Sequence, residues 1–354
     1  MRTFAATVLC LSVVALTVSA APGTTVKRCH LRWRIVPSPR FSDARLADVQ
    51  ALKPNLVWAA GSGITSGGRP TRILVEHWDG HHWRARRLPQ TGFVDGLAAS
   101  SNRDIWLVGE APDFTPLILH YGGDGWTQLP SPLPSGEHGW LHDVLALGPR
   151  DAWAVGSNDT LISPTGYPSA LILHWDGSRW TSVSGPPGLG ALFGITALSA
   201  HDLWAVGPVD SDSLSPPVMT HWNGASWRVV DDSELGYVDL FGVKAVSPRS
   251  VWAVGSTGAT ERRGIVAHWN GVRFRIVDER NLRDSVESFN DVVSSGKSVW
   301  AVGGWGIDRW DGRRWLKRPF RGVSFRGADA ISARNVWAVG GDGRGSVVYH
   351  YACQ

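Results

Sequence analysis

The strongest constraint on this fold is a two-part phrase that the 354-residue chain writes seven times. The first half is an apolar pentad around a tryptophan, as in Val57-Trp58-Ala59-Ala60-Gly61, Ile105-Trp106-Leu107-Val108-Gly109 and Ala152-Trp153-Ala154-Val155-Gly156. It returns at Leu203 to Gly207, Val251 to Gly255, Val299 to Gly303 and Val336 to Gly340. The second half is His-Trp-Asp-Gly, two residues, then Trp, as in His77 to Trp83 and His174 to Trp180. Successive pentad tryptophans lie 48, 47, 51, 48, 48 and 37 residues apart. Such a period requires a solenoid, a propeller or another array.

Each unit reads as four short strands, here a to d. Asp-Gly or Asn-Gly between apolar runs is a hairpin signal, because both residues tolerate positive φ. No stretch keeps a 3.6-residue period, so helix is expected to be scarce. Four-stranded units at this spacing predict an all-β, seven-bladed β-propeller. The pentad belongs to strand b, the His-Trp ends strand c, and the last Trp opens strand d.

The chain ends test the prediction. The seventh unit stops after Val347-Val348-Tyr349-His350-Tyr351 and lacks strand d. Trp33-Arg34-Ile35-Val36-Pro37 resembles Trp126-Thr127-Gln128-Leu129-Pro130 but has no preceding a, b or c. The N-terminal strand is therefore expected to complete the last blade, which an open β-solenoid would not need. Cys29 and Cys353 then flank the missing c–d turn and are expected to form a disulfide.

Residues 1–20 read as a secretory signal peptide. Met1-Arg2 is basic, Thr3 to Val18 is apolar and uncharged, and Val18-Ser19-Ala20 is a small-residue cleavage pattern. The run is too short to span a bilayer, and no other stretch is long enough. The expectation is a secreted, monomeric protein whose residues 21–354 form one domain. The net charge of +4 is modest, and 43% of the residues are apolar, enough for a large core. The basic residues from Arg309 to Arg326 read as a solvated edge rather than a nucleic-acid stripe.

Residues repeated in every blade read as scaffold. The units resemble the kelch and Asp-box classes of bacterial secreted propeller repeats, through the Gly-ended strand b, the aromatic closing strand c and the Trp opening strand d. In Asp-Gly-x-x-Trp the Asp and Gly are adjacent, a departure from the Asp-box. The resemblance implies a propeller over residues 29–353 and leaves the activity open.

Function is therefore expected where the phrase breaks. Of the 20 tryptophans only Trp140 and Trp305 lie outside the repeat. Trp140 is placed in a d–a connection. Trp305 follows a vanished b–c loop, whose notch is expected to be bordered by Arg318, Arg321 and Arg326. Trp140, Trp305 and Arg321 are the candidate ligand-binding residues. Asp48, Asp143 and Asp291 stand where other units have Gly96, Gly194, Gly242 and Gly327. With His142 they are the candidate catalytic residues should the chain be a carbohydrate-active hydrolase or lyase. No Gly-x-Ser-x-Gly elbow and no His-Glu-x-x-His motif occurs. Sialidase and galactose-oxidase residue sets cannot be assigned, and no cofactor or metal is implied. The favoured reading is a non-enzymatic scaffold presenting loops to a glycan, a cell-wall component or a protein.

Overall fold

The computed structural model describes residues 29–158, 168–208, 218–230, 233–257, 263–280, 288–304 and 306–353. These form seven four-stranded antiparallel sheets. Blade 1 is Arg45–Lys53, Leu56–Ser62, Arg72–Trp78 and Trp83–Thr91. Blades 2 to 6 span 93–129, 139–182, 194–229, 238–280 and 289–319. Blade 7 takes Val323–Ser332, Asn335–Asp342 and Gly345–Ala352, and its strand d is Arg32–Ile35 from the other chain end. Among the described residues the one helical element is a 3₁₀ turn, Ser233–Leu235.

The hairpin chemistry is local. Gly80 and Gly177 hold φ of 99° and 96° in their c–d turns, conformations a side chain would strain. The preceding aspartate closes the turn: Asp79 Oδ1 accepts the N–H groups of His81 and His82 at 2.9 and 2.8 Å. Those bonds favour the ionised carboxylate and hold Asp79 down to about 2.

The core is a ring of seven apolar clusters, one at each blade interface. Every pentad tryptophan is buried there. Trp106 of blade 2 meets Trp175 and Trp180 of blade 3 edge-on, each at 5.1 Å between ring centres. Trp204 meets Trp269 and Phe274, and Trp337 meets Trp78 and Trp83 across the ring closure. The aromatics closing strand c and opening strand d are thus the next blade's half of the interface.

The repeated histidines complete this packing. His120 lies on Trp106 at 4.1 Å, and its Nε2 meets Asp104 at 2.8 Å. His174 and His221 repeat the pattern with Asp151 and Asp202; His268 uses Ser250 and His350 uses Asn335. Blade 6 substitutes Arg309, whose guanidinium covers Trp300 and donates to Ser298 and Tyr351. A polar residue opening strand b therefore pairs with the polar residue ending strand c. Blade 1 has Leu56 there, and among the described residues His77 Nε2 is buried without a hydrogen-bond partner.

The ring closes as the chain ends predict. Arg32–Ile35 pairs antiparallel with Tyr349–Ala352, and a Cys29–Cys353 disulfide stands where other blades have a c–d turn. The chain then crosses from blade 7 to blade 1 through residues 36–44. Beside this crossing Glu76 is fully buried on blade 1, and among the described residues only the Ser38 side chain comes near enough to interact with its carboxyl, without good hydrogen-bond geometry. Burial pushes its carboxyl up to about 8, and nearby Ser38 offsets only part of the rise.

A carboxyl raised in the folded state adds stability that is full below the unfolded value of 4.5 and lost as pH rises through about 8. Glu76→Gln is therefore expected to raise the melting temperature at pH 9 relative to wild type and to narrow the difference at pH 5. Melting curves across that range check it. An equal offset at every pH would show that Glu76 does not titrate with folding.

Candidate functional site

Strand a lines the central channel, and a one-residue irregularity decides what faces it. In six blades strand a slips by one residue against strand b, for instance between Leu46 and Asp48 and between Leu141 and Asp143. Such a bulge leaves one residue outside the ladder and re-aims its side chain. The extra residues are Ala47, Asp95, His142, Phe241, Asn290 and Arg326, and Phe193 holds the place in blade 4. All seven line one cavity of about 640 Å³ at the channel mouth, on the face of the b–c and d–a connections.

The mouth has two unlike halves. Blades 2 to 5 supply an aromatic wall. His142 stacks on Phe193 at 4.0 Å and 10° between planes, and Phe193 meets Phe241 edge-on at 5.9 Å. Blades 6, 7 and 1 supply Asn290, Arg326 and Arg45. Both residues are exposed, and among the described residues neither guanidinium group makes an ion pair or hydrogen bond. This side is also the low rim, because the b–c turn of blade 7 is only Asp342 to Gly345 and strand c of blade 6 begins three residues after strand b ends.

Below the mouth a narrower space of about 190 Å³ holds Asp48, Asp143, Asp291, Asp329 and Lys244. The sequence picked out the first three; Asp329 lies two residues further along its strand. Each carboxylate joins two blades. Asp48 accepts Val49 N–H at 2.7 Å and, from blade 2, Leu97 N–H at 2.9 Å. Asp143 bridges Val144 to Ile195, and Asp291 bridges Val292 to Ala328. Asp329 accepts from Ala330 and, across the ring closure, from Ala51 and Gln50.

Glycine fills the same column where blades approach too closely for a side chain. A Cβ on Gly96 would lie 2.9 Å from Asp143 Cα, and one on Gly327 would lie 2.7 Å from Asp48 Cα. The Asp/Gly alternation is thus read out as blade stitching. Burial pushes Asp143 up to about 7 and Asp291 to about 6, and it raises Asp48 well above its usual range, with Asp291 and Asp143 adding repulsion. Among the described residues no group of three or more His, Cys, Asp or Glu is arranged to hold a metal ion.

The other sequence candidates scatter. Trp140 sits inside strand a of blade 3 rather than in the d–a connection expected for it. It stacks on Phe93 at 5.8 Å and backs His142 at 5.5 Å, so it braces the aromatic wall from behind. Arg321 is an exposed residue of the turn before blade 7 and is not on the cavity wall. Arg318 lies over the Phe320 ring. Trp305 lies outside the described residues.

His142 contacts Asp95 through Nδ1 at 3.4 Å and Ser157 through Nε2 at 3.3 Å. The order is that of a serine–histidine–aspartate relay. Both contacts are long for hydrogen bonds, Ser157 is not on the cavity wall, and Asp95 is half-exposed. The arrangement keeps the imidazole flat against Phe193. Sequence reasoning missed Asp95, Phe193, Phe241 and Asn290. Their signal was present: the residue just before the Asp/Gly column changes character in almost every unit.

No protein-family model and no curated protein sequence matches the chain. Solved structures do. The chain is similar to YCF48 bound to D1 peptide, with 17% identity, 91% of this chain and 95% of that one covered, and a TM-score of 0.62. It is similar to YCF48 from Cyanidioschyzon merolae at 18% identity, over 90% of this chain and 98% of that one, with a TM-score of 0.60. It is also similar to the WD40 β-propeller domain of Doa1, at 11% identity over 90% and 96% of the two chains, with a TM-score of 0.62. The likeness is one of fold. It places this chain's sheets in the same ring architecture and leaves the ligand to the mouth itself.

Proposed function

We propose that this chain is an exported, non-enzymatic propeller scaffold that captures an extended peptide segment of a protein partner at the mouth of its central channel. The observation that carries the reading is the ring of seven strand-a residues, six of them at bulges, which breaks the repeat at one place and surrounds one cavity. The aromatic half offers edges and partly covered faces suited to an apolar side chain. The opposite half offers two unpaired guanidinium groups suited to a carboxylate. A peptide entering over the low rim of blades 6 and 7 would pass Arg326 and Asn290 before reaching Phe241 and Phe193.

The solved structure of YCF48 bound to D1 peptide supports a peptide rather than a glycan. So does the wall itself, built from Phe and a stacked His rather than broad exposed Trp faces. The channel carboxylates are engaged by backbone N–H groups, which speaks against a hydrolase built on Asp48, Asp143 and Asp291. Export is supported by the signal-like residues 1–20 and by the disulfide.

Panning a phage-displayed random peptide library against the protein tests the reading. Enriched peptides are expected to pair an apolar or aromatic residue with an acidic one. Phe241→Ala and Arg326→Glu should each weaken them about tenfold or more, the scale of one good anchor. Peptides that bind both variants unchanged, or a glycan array that binds where the library does not, would overturn it.

A further inference from the structure

The opposite face carries a feature that the channel mouth does not use. There each a–b turn presents one residue at the same structural position: Asn55, Arg103, Arg150, His201, Arg249, Lys297 and Arg334, in blade order. Five of the seven are permanent cations. All five are exposed, and among the described residues none makes an ion pair. Because strand a is innermost, these turns form an annulus around the channel's other opening. Equivalent positions in a ring of like blades put the charges at one level.

The turns hold these residues in place. Ser101, Ser247 and Ser332 accept the backbone N–H of Arg103, Arg249 and Arg334 at 3.2 to 3.3 Å. Trp175 and Trp269 donate from Nε1 to the carbonyls of Pro149 and Pro248, just before Arg150 and Arg249. The side chains of Arg103, Arg150 and Arg249 lie against the c–d turn glycine of their own blade, where a Cβ would come within 2.7 to 3.1 Å of each Cγ. The side chains are held against the turn while the residues stay exposed. The acidic residues nearby, Asp79, Asp176 and Asp311, stay ionised and each caps its own turn through two backbone N–H groups, with Arg84 beside Asp79 and Arg179 beside Asp176. Asp124 is the exposed exception.

The same face exposes aliphatic side chains. Val272, in the c–d turn of blade 5, is 79% exposed, and Val246 and Leu147, at the ends of their strands a, are 40% and 37% exposed. A flat ring of cations with aliphatic tips beside it matches the polar boundary of an anionic bilayer better than a soluble polyanion, which offers no hydrocarbon.

We infer that the a–b face is a docking surface for an anionic lipid bilayer, leaving the peptide-binding mouth pointing away from the membrane. The docking surface does not depend on what the mouth binds.

Co-sedimentation with vesicles tests it. The full protein is expected to pellet with vesicles containing phosphatidylglycerol, to ignore phosphatidylcholine vesicles, and to be released by raised salt. The triple variant Arg103→Gln, Arg249→Gln, Arg334→Gln should lose roughly a hundredfold in partitioning, at about fivefold per cation. Val272→Ser should weaken binding without changing its salt dependence. Arg45→Gln with Arg326→Gln, on the other face, should leave it unchanged, and melting curves confirm that each variant is folded. Absence of vesicle binding, equal binding by the triple variant, or binding to heparin without binding to vesicles would each overturn the inference.

Discussion

Replacing Cys29 and Cys353 with serine is expected to lower the unfolding free energy by about 3–5 kcal/mol. The bridge closes a loop of 324 residues, and the chain-entropy model puts loops of this size near the upper end of the usual range. The loss has a structural destination. Without the bridge, Arg32–Ile35 stays on blade 7 through its ladder with Tyr349–Ala352, the Val36 N–H bond to the Val348 carbonyl and the buried Trp33. The four-residue strand is the last piece of the ring, so its release leaves the Gly345–Ala352 edge open. Chemical denaturation of the double variant, or of the wild type under reductant, measures the change. A loss below about 1 kcal/mol would mean that strand pairing alone holds the closure.

Trp106→Ala is expected to cost about 3–5 kcal/mol, the usual range for removing a buried aromatic. Trp106 is fully buried, with His120 on its face and Trp175 and Trp180 against its edges. Its removal opens a cavity at the centre of the blade 2–3 cluster, and the paired sheets on both sides resist collapse into the gap. Trp140→Ala offers the contrast: it should destabilise far less, because Trp140 is half-buried, yet loosen the His142 stack and weaken peptide capture. Denaturant melts of both variants separate the roles. Similar stabilities for the two would contradict the division between scaffold tryptophans and the one behind the cavity wall.

The scaffold was legible because it repeats. A tryptophan in every strand b, a histidine in six strands c and a glycine in six c–d turns are fixed by contacts within a blade or with the next one, and those contacts recur at the same spacing. The closure was legible for a related reason, since a lone strand d at one end and a missing one at the other have a single economical solution. The candidate site was harder to see. Asp48, Asp143 and Asp291 stood out because their column alternates with glycine, and that alternation reflects how closely neighbouring blades approach. Trp140 stood out by being extra, and it proved to lie behind the wall rather than on it.

Sequence alone determined the seven sheets, their strand order and the pairing of the two chain ends, because hydrophobic period, turn chemistry and the unmatched termini all act over short or repeating distances. Only the tertiary structure decided which side chains share the channel mouth. Asp95, His142, Phe193, Phe241, Asn290 and Arg326 come from six different blades, and a one-residue bulge turns all but Phe193 inward. A bulge is invisible to a period-two pattern until the ladder shows where the register slips. The same holds for the cation ring on the other face: Arg103 and Arg334 are 231 residues apart in sequence, and ring closure alone leaves only blade 1 between them on one annulus.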